Sequence, residues 1–344
     1  MIPSIFPLLA GLLTIGTTTP PATTASPSRS EEVRFFSEQG VTLAGTLEIP
    51  AVATAPVPVV VIVAGTGRWT RGGFADIRAR LLAGGVATLT YDKRGLGRST
   101  GAFIDTIPVM AHDVATAVAY LRTRRGIDGA RIALLGISQG AVAAPLVAAQ
   151  DPNVAAVVAL SGPTGGRGEA FMTTMRANLE AGGRSAIQRD RIVAATAAWM
   201  EGRSRAVPAV DLAELRAATT KAFAVNGFTR AQADQFTATL DTPVVLSMYE
   251  VAPDAALRRI TAPILMVYGT ADAVIAPAAS FAGAQAALSS NADALVVAVP
   301  GVDHVLALPD AARRAGLEPA FDATAPAVTR LVSGWLIDRL RPRR

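Results

Sequence analysis

Residues Arg131 to Gln150, RIALLGISQGAVAAPLVAAQ, constrain this chain more tightly than any other stretch. An apolar run of strand length, Ile132 to Leu135, leads into Gly136-Ile137-Ser138-Gln139-Gly140 and then into a helix of small residues. G-x-S-x-G between a strand and a helix specifies a turn so sharp that the serine backbone is strained. Glycine is needed two positions before and two after the serine, because a side chain there collides with the neighbouring strand or helix. Ser138 would then stand at the C-terminal edge of a sheet, where amides at a helix N-terminus favour developing negative charge. A chain with 30 glycines also meets this pattern by chance. An ordinary strand-to-helix connection is the competing reading, and the flanking sequence has to decide.

The flanks alternate strands with helices. Glu31 to Pro50 reads as a hairpin around Glu38-Gln39-Gly40, and Val57 to Ala64 as a strand buried on both faces. A helix from Phe74 to Ala83, a strand from Val86 to Tyr91 and an amphipathic helix within Asp105 to Arg125 follow. Val154 to Leu160 is the next strand after the sharp turn at Gly136–Gly140, the elbow. This alternation specifies an α/β fold with a doubly wound, mostly parallel sheet. Between residues 163 and 259 strand-like runs vanish and Ala/Arg-rich helical segments replace them. About a hundred residues is too long for a structureless loop, so they are expected to form a helical cap over the sheet edge. Pro263 to Tyr268 and Leu295 to Val299 restore the strand pattern, with helices at Ala278 to Leu288 and Pro326 to Leu340. The organisation expected is a leader at 1–30, a core at 31–162 and 260–344, and the insertion at 163–259.

In the leader, Ile5 to Ile15 has the length of a signal-peptide h-region, too short to span a bilayer. Small residues suited to cleavage follow near Ala22 and Ala25, in a Thr/Pro/Ser-rich tract. The n-region carries no Lys or Arg, a departure from the usual signal pattern. Export to the periplasm or medium is the expectation, with no stable membrane insertion after leader removal; a leader that is not a true signal would leave the chain cytoplasmic.

The chain has no cysteine, which excludes disulfides, a cysteine nucleophile and thiolate metal sites. Its formal charge is +5, and the only lysines are Lys93 and Lys221. The arginines are scattered, with no basic stripe or nucleic-acid module, so no nucleic-acid partner is expected. A small-molecule substrate is the expected partner.

A serine nucleophile needs a base within hydrogen-bond reach and a third group to orient that base. There are two histidines. His112 lies within an amphipathic helix and reads as a surface residue. His304 lies in Pro300-Gly301-Val302-Asp303-His304, just past the last strand. Asp272 follows directly after the strand ending at Tyr268; Asp303 is the rival acid, but a residue adjacent to the histidine rarely folds back onto its ring. The resulting chain order, Ser138, Asp272, His304, is nucleophile, acid, base.

Three stretches carry a family resemblance: Tyr91 to Ser99 (YDKRGLGRS), the elbow, and Val267 to Ile275 (VYGTADAVI). Over essentially all of 31–344 the chain resembles the α/β-hydrolases, and within them a bacterial esterase-like or dipeptidyl-peptidase-like subgroup with a helical cap. The resemblance implies a serine hydrolase that needs neither metal nor cofactor and acts on carboxylic esters of small to medium acyl chains. Thioesterase, amidase or aminopeptidase chemistry would use the same residues, Glu169, Glu180, Glu201 and Glu250 being available to hold a substrate ammonium. A dehalogenase would carry aspartate where Ser138 stands, and a non-catalytic binding protein would not need the triad. For the oxyanion the resemblance implies the backbone N–H of Gln139 and a second amide after Val57–Ala64, at Thr66 first and Gly67 second. Ala64 replaces the customary histidine of that turn. Asp92, Arg94 and Gly95 are implied to be structural. Phe171, Met172, Met175, Trp199, Met200 and Met248 either line an acyl pocket or form the insertion's own core.

Overall fold

The computed structural model describes residues 28–51, 56–308 and 324–342. Eight strands form one sheet: β1 (Ser28–Glu38), β2 (Val41–Pro50), β3 (Val57–Val63), β4 (Ala87–Tyr91), β5 (Ile127–Ile137), β6 (Ala156–Leu160), β7 (Ile264–Gly269) and β8 (Ala294–Val299). Their order is β1-β2-β4-β3-β5-β6-β7-β8, with β1 and β2 antiparallel and the other six parallel. The all-apolar strings of β3, β6 and β7 are buried at every residue, as expected for strands covered on both faces. The elbow strand is longer than its apolar run, because Ile127 pairs with Val57 ahead of an irregularity in the ladder. β1 begins at Ser28, inside the expected leader; the apolar run Ile5–Ile15 lies outside the described residues.

Among the described residues five helices flank the sheet: α1 (Ala75–Ala83), α2 (Ile107–Arg122), α3 (Gly140–Ala148), α10 (Pro277–Ala287) and α11 (Pro326–Arg339). α2, α3 and α10 pack on one face through Val114, Val118, Ala144 and Ala284. α1 and α11 cover the other through Ile77, Leu81, Val332 and Leu336. Between β6 and β7 lie six helices: α4 (Glu169–Ala181), α5 (Ala186–Ser204), α6 (Ala209–Val225), α7 (Arg230–Leu240), α8 (Pro243–Glu250) and α9 (Pro253–Leu257). Two of their starts are locally encoded, capping boxes Ser185/Gln188 and Thr229/Gln232 satisfying first-turn amides of α5 and α7. They have a core of their own around Met175, Leu179, Trp199, Met200 and Phe223.

The YDKRGLGRS turn fastens the end of β4 to its surroundings. Arg94 donates to Asp113 on α2 at 2.6 and 3.0 Å and also pairs with Glu38 of β1. Gly95 has φ +70, and a β-carbon there would stand 2.4 Å from the Phe103 amide nitrogen. Asp92 accepts from the Arg71 guanidinium and from the amides of Arg71 and Arg98. All three residues therefore serve the turn, as expected. Burial alone would raise the Asp92 pKa, but these donors outweigh it and hold the carboxyl below its ordinary range. A depressed folded pKa gives stability that is present above the unfolded value, about 3.9, and lost as pH falls through the lower folded value. Asp92→Asn should therefore cost roughly 1–3 kcal/mol at pH 7. In urea melts its deficit against wild type should narrow at pH 3; a deficit independent of pH would contradict this.

Candidate active site

The elbow is built by backbones in contact. A β-carbon at Gly136 would stand 2.1 Å from the Gly140 carbonyl oxygen, and one at Gly140 would stand 2.4 Å from that of Val63. Ser138, between them, has φ +54, a left-handed conformation that costs a non-glycine residue about 1–2 kcal/mol. Its N–H donates to Leu160 O at 2.8 Å, which locks the strained turn to the end of β6.

The candidate acid and base follow the ends of β7 and β8. A β-carbon at Gly269 would stand 2.3 Å from Val302 O, so the loop after β8 lies directly on the end of β7. Ala271 N donates to Val302 O and Gly301 N to Thr270 Oγ1, each at 3.0 Å, stitching the two loops together. Across this seam His304 Nδ1 meets Asp272 Oδ2 at 2.8 Å. Asp272 Oδ1 accepts the amides of Val274 and Ile275, so both carboxylate oxygens are oriented. The rival Asp303 is occupied by the amides of Val305 and Ala307 and shapes the turn. His112 is exposed on α2, its Nε2 3.3 Å from Ser37 O.

His304 Nε2 is buried and has no hydrogen-bond partner among the described residues. Asp272 and His304 are thus joined, and no hydrogen bond closes the step from His304 to Ser138. Such bonds are commonly long in unliganded sites and tighten around substrate.

Ser138 opens into an apolar cleft with about 780 Å³ of empty space, part of it continuous with solvent. The sheet side contributes Thr66, Ile107, Gln139, Val142 and Ile275; the helical insertion contributes Phe171, Val245 and Met248 among others. Of the large apolar residues singled out in the insertion, Met175, Trp199 and Met200 belong to its own core and Met172 packs against it. Phe171 and Met248 face the cleft.

Among the described residues neither the Thr66 nor the Gln139 backbone N–H is engaged elsewhere. Gly67, the second candidate donor, is corrected: its N–H is spent on Asp105 Oδ2 at 2.7 Å. Asp105 was not foreseen, nor was Lys93, whose Nζ donates to both Asp105 Oδ1 and Gly65 O. Burial pushes the Lys93 pKa down, and Asp105 opposes that shift. A signal for it was present: Lys93 is one of two lysines in a chain whose other basic residues are arginines.

The model of the alpha/beta hydrolase family matches residues 60–316, well over half of the chain. The chain belongs to the alpha/beta hydrolase family. The hydrolase's architecture is similar to that of the Pyrococcus furiosus esterase Pf2001, at 15% identity and a TM-score of 0.56 over 96% of this chain and 100% of that one. It is also similar to Est1E of Butyrivibrio proteoclasticus, solved with ferulic acid, at 18% identity and a TM-score of 0.53 over 90% and 99% of the two chains. At those identities the likeness is one of fold. A thiohydrolase of Arthrinium phaeospermum, apmlB, is 35% identical over 133 residues, covering 38% of this chain and 42% of that protein. Among the described residues of the hydrolase no helix is long and apolar enough to cross a membrane.

The strain at Ser138 is separable from its chemistry. Ser138→Gly should be more stable than Ser138→Ala by about 1 kcal/mol, since glycine alone adopts φ +54 without a side-chain penalty. Thermal melts of the two variants decide it; equal stability would mean the elbow stores no strain.

Proposed function

We propose that this hydrolase is a serine esterase that acts through an acyl-enzyme. Ser138 Oγ attacks the ester carbonyl while His304 Nε2 takes its proton, and Asp272 holds the Nδ1 proton and stabilises the imidazolium. The carbonyl oxygen, now an alkoxide, accepts from the Thr66 and Gln139 amides. Collapse breaks the C–O bond, and His304 returns its proton to the departing alcohol. Water repeats the sequence on the acyl-serine and regenerates the hydroxyl. The observation that carries this reading is the Asp272–His304 pair, whose far nitrogen is buried and left without a partner among the described residues, at the sheet edge that also holds the strained Ser138.

The insertion acts in this reading as a cap that supplies one wall of the acyl pocket. No charged side chain among the described residues lines the cleft, which favours uncharged apolar acyl groups of small to medium size. The same lining argues against an aminopeptidase. Glu169 caps the Gly166 amide, Glu180 pairs with Arg189, Glu201 with Arg167 and Arg205, and Glu250 accepts from Ser204. None of them is placed to receive a substrate ammonium in the cleft. A thioester substrate is the second reading, supported by the partial match to a thiohydrolase. Export rests on the leader sequence alone.

p-Nitrophenyl esters from acetate to palmitate, with a thioester and an amino-acid anilide alongside, test the reading. Ester turnover is expected to peak at short to medium chains and to fall by about 10⁴-fold or more in Ser138→Ala. Met248→Trp, which fills the cleft, should move the optimum to shorter chains. Faster thioester turnover would favour the second reading. A wild type as inert as Ser138→Ala on every substrate would overturn both.

A further inference from the structure

We infer that Lys93 aims the second oxyanion donor: by holding the Gly65 carbonyl it directs the Thr66 N–H at the developing alkoxide, with Asp105 holding Lys93 in place. The inference rests on the serine-hydrolase reading and adds to it two positioning residues outside the triad.

The argument starts from the peptide unit. The Gly65 C=O and the Thr66 N–H belong to one planar trans amide, so they point in opposite directions. Lys93 Nζ donates to Gly65 O, which fixes the plane and sends the Thr66 N–H away from Lys93. On that loop Ser138 is close: a β-carbon at Gly65 would lie 3.2 Å from Ser138 Cβ and 3.7 Å from its Oγ. The next amide is held at both ends. Trp69 Nε1 donates to Thr66 O at 2.7 Å, and Gly67 N–H donates to Asp105 Oδ2 at 2.7 Å. Every polar backbone group from Gly65 O to Gly67 N is therefore engaged except the Thr66 N–H. The same aspartate also meets the residue that carries the other donor, its backbone carbonyl accepting from the Gln139 side-chain Nε2 at 2.7 Å.

Residue type fits the task. An ammonium is a compact charge with three donors, able to serve a carbonyl and a carboxylate together. Side-chain exposures of 10% for Lys93 and 9% for Asp105 keep water from competing for those contacts. Ala64, with only a methyl side chain, has no side-chain polar atom with which to hold the loop. Lys93 reaches it instead from the end of the neighbouring β4.

A misaimed donor is felt in the transition state and hardly in ground-state binding, and that separates aiming from mere structural support. Lys93→Met keeps chain length and loses the donors. With p-nitrophenyl butyrate its kcat should fall about 10²-fold and its KM stay within about twofold. A trifluoromethyl ketone, which adds to the serine as an oxyanion, should weaken by the same factor as kcat/KM. Lys93→Arg, retaining charge and donors, should recover to within about tenfold of wild type. Should Lys93→Met fail to fold, Asp105→Asn decides: a loss confined to kcat supports the inference, and an unchanged kcat overturns it. A folded Lys93→Met with kcat within about twofold of wild type, or with unaltered ketone binding, overturns it also. Ser138→Ala, run beside them, separates the two claims. If it is inert while Lys93→Met is unimpaired, only the positioning role falls; if it retains full turnover, the serine mechanism fails and the positioning role with it.

Discussion

Backbones meet at the elbow with no room for a single β-carbon, and the site depends on that contact. Gly140 lies against the carbonyls of Val63 and Ala64, where β3 gives way to the loop that carries Gly65 and Thr66. Gly136 lies against Gly140 itself, across the turn that holds Ser138. One close approach therefore sets the strain at the serine and also brings the proposed oxyanion loop alongside it. The parallel sheet supplies the remaining partners, because β6 and β7 follow β5 in order and the loop after β8 rests on the end of β7. Strand ends in register deliver serine, aspartate and histidine to one edge without any of them being near the others in the chain.

Polar groups then hold what packing has placed. Asp272 is fixed by two amides before it meets His304, so the imidazole is oriented by a carboxylate that cannot itself swing. The YDKRGLGRS turn works at two depths. Asp92 and Arg94 secure it to Arg71, Asp113 and Glu38 on the scaffold side. Lys93, between them in sequence, holds both the Gly65 carbonyl of the proposed oxyanion loop and Asp105. A buried pair of this kind is a weak source of stability, since desolvation offsets most of the Coulombic gain. Its proposed value lies in direction, in which amide points where.

Much of this was legible in the chain. The elbow and the order Ser138, Asp272, His304 could be read because each lies within a residue or a few of an apolar strand, where sequence position and spatial position coincide. β3, β6 and β7 were readable for the same reason, their burial on both faces leaving uninterrupted apolar runs. Lys93 and Asp105 were not. They meet through loop geometry, and Lys93 stands between two structural residues of a motif that masks it. Helical spacing likewise could not separate Met248, which faces the cleft, from Trp199, which fills the insertion's own core. Both sit on amphipathic helices, and periodicity says which residues share a face without saying what that face meets.

Covalent labelling tests the central claim most directly. The native protein would be treated with a fluorophosphonate, digested, and its peptides mapped by mass spectrometry. The account expects one adduct per chain, on Ser138 in the peptide spanning the elbow, and its loss when His304 is replaced by alanine. A native protein left unlabelled, or labelled at another residue with Ser138 untouched, would contradict it.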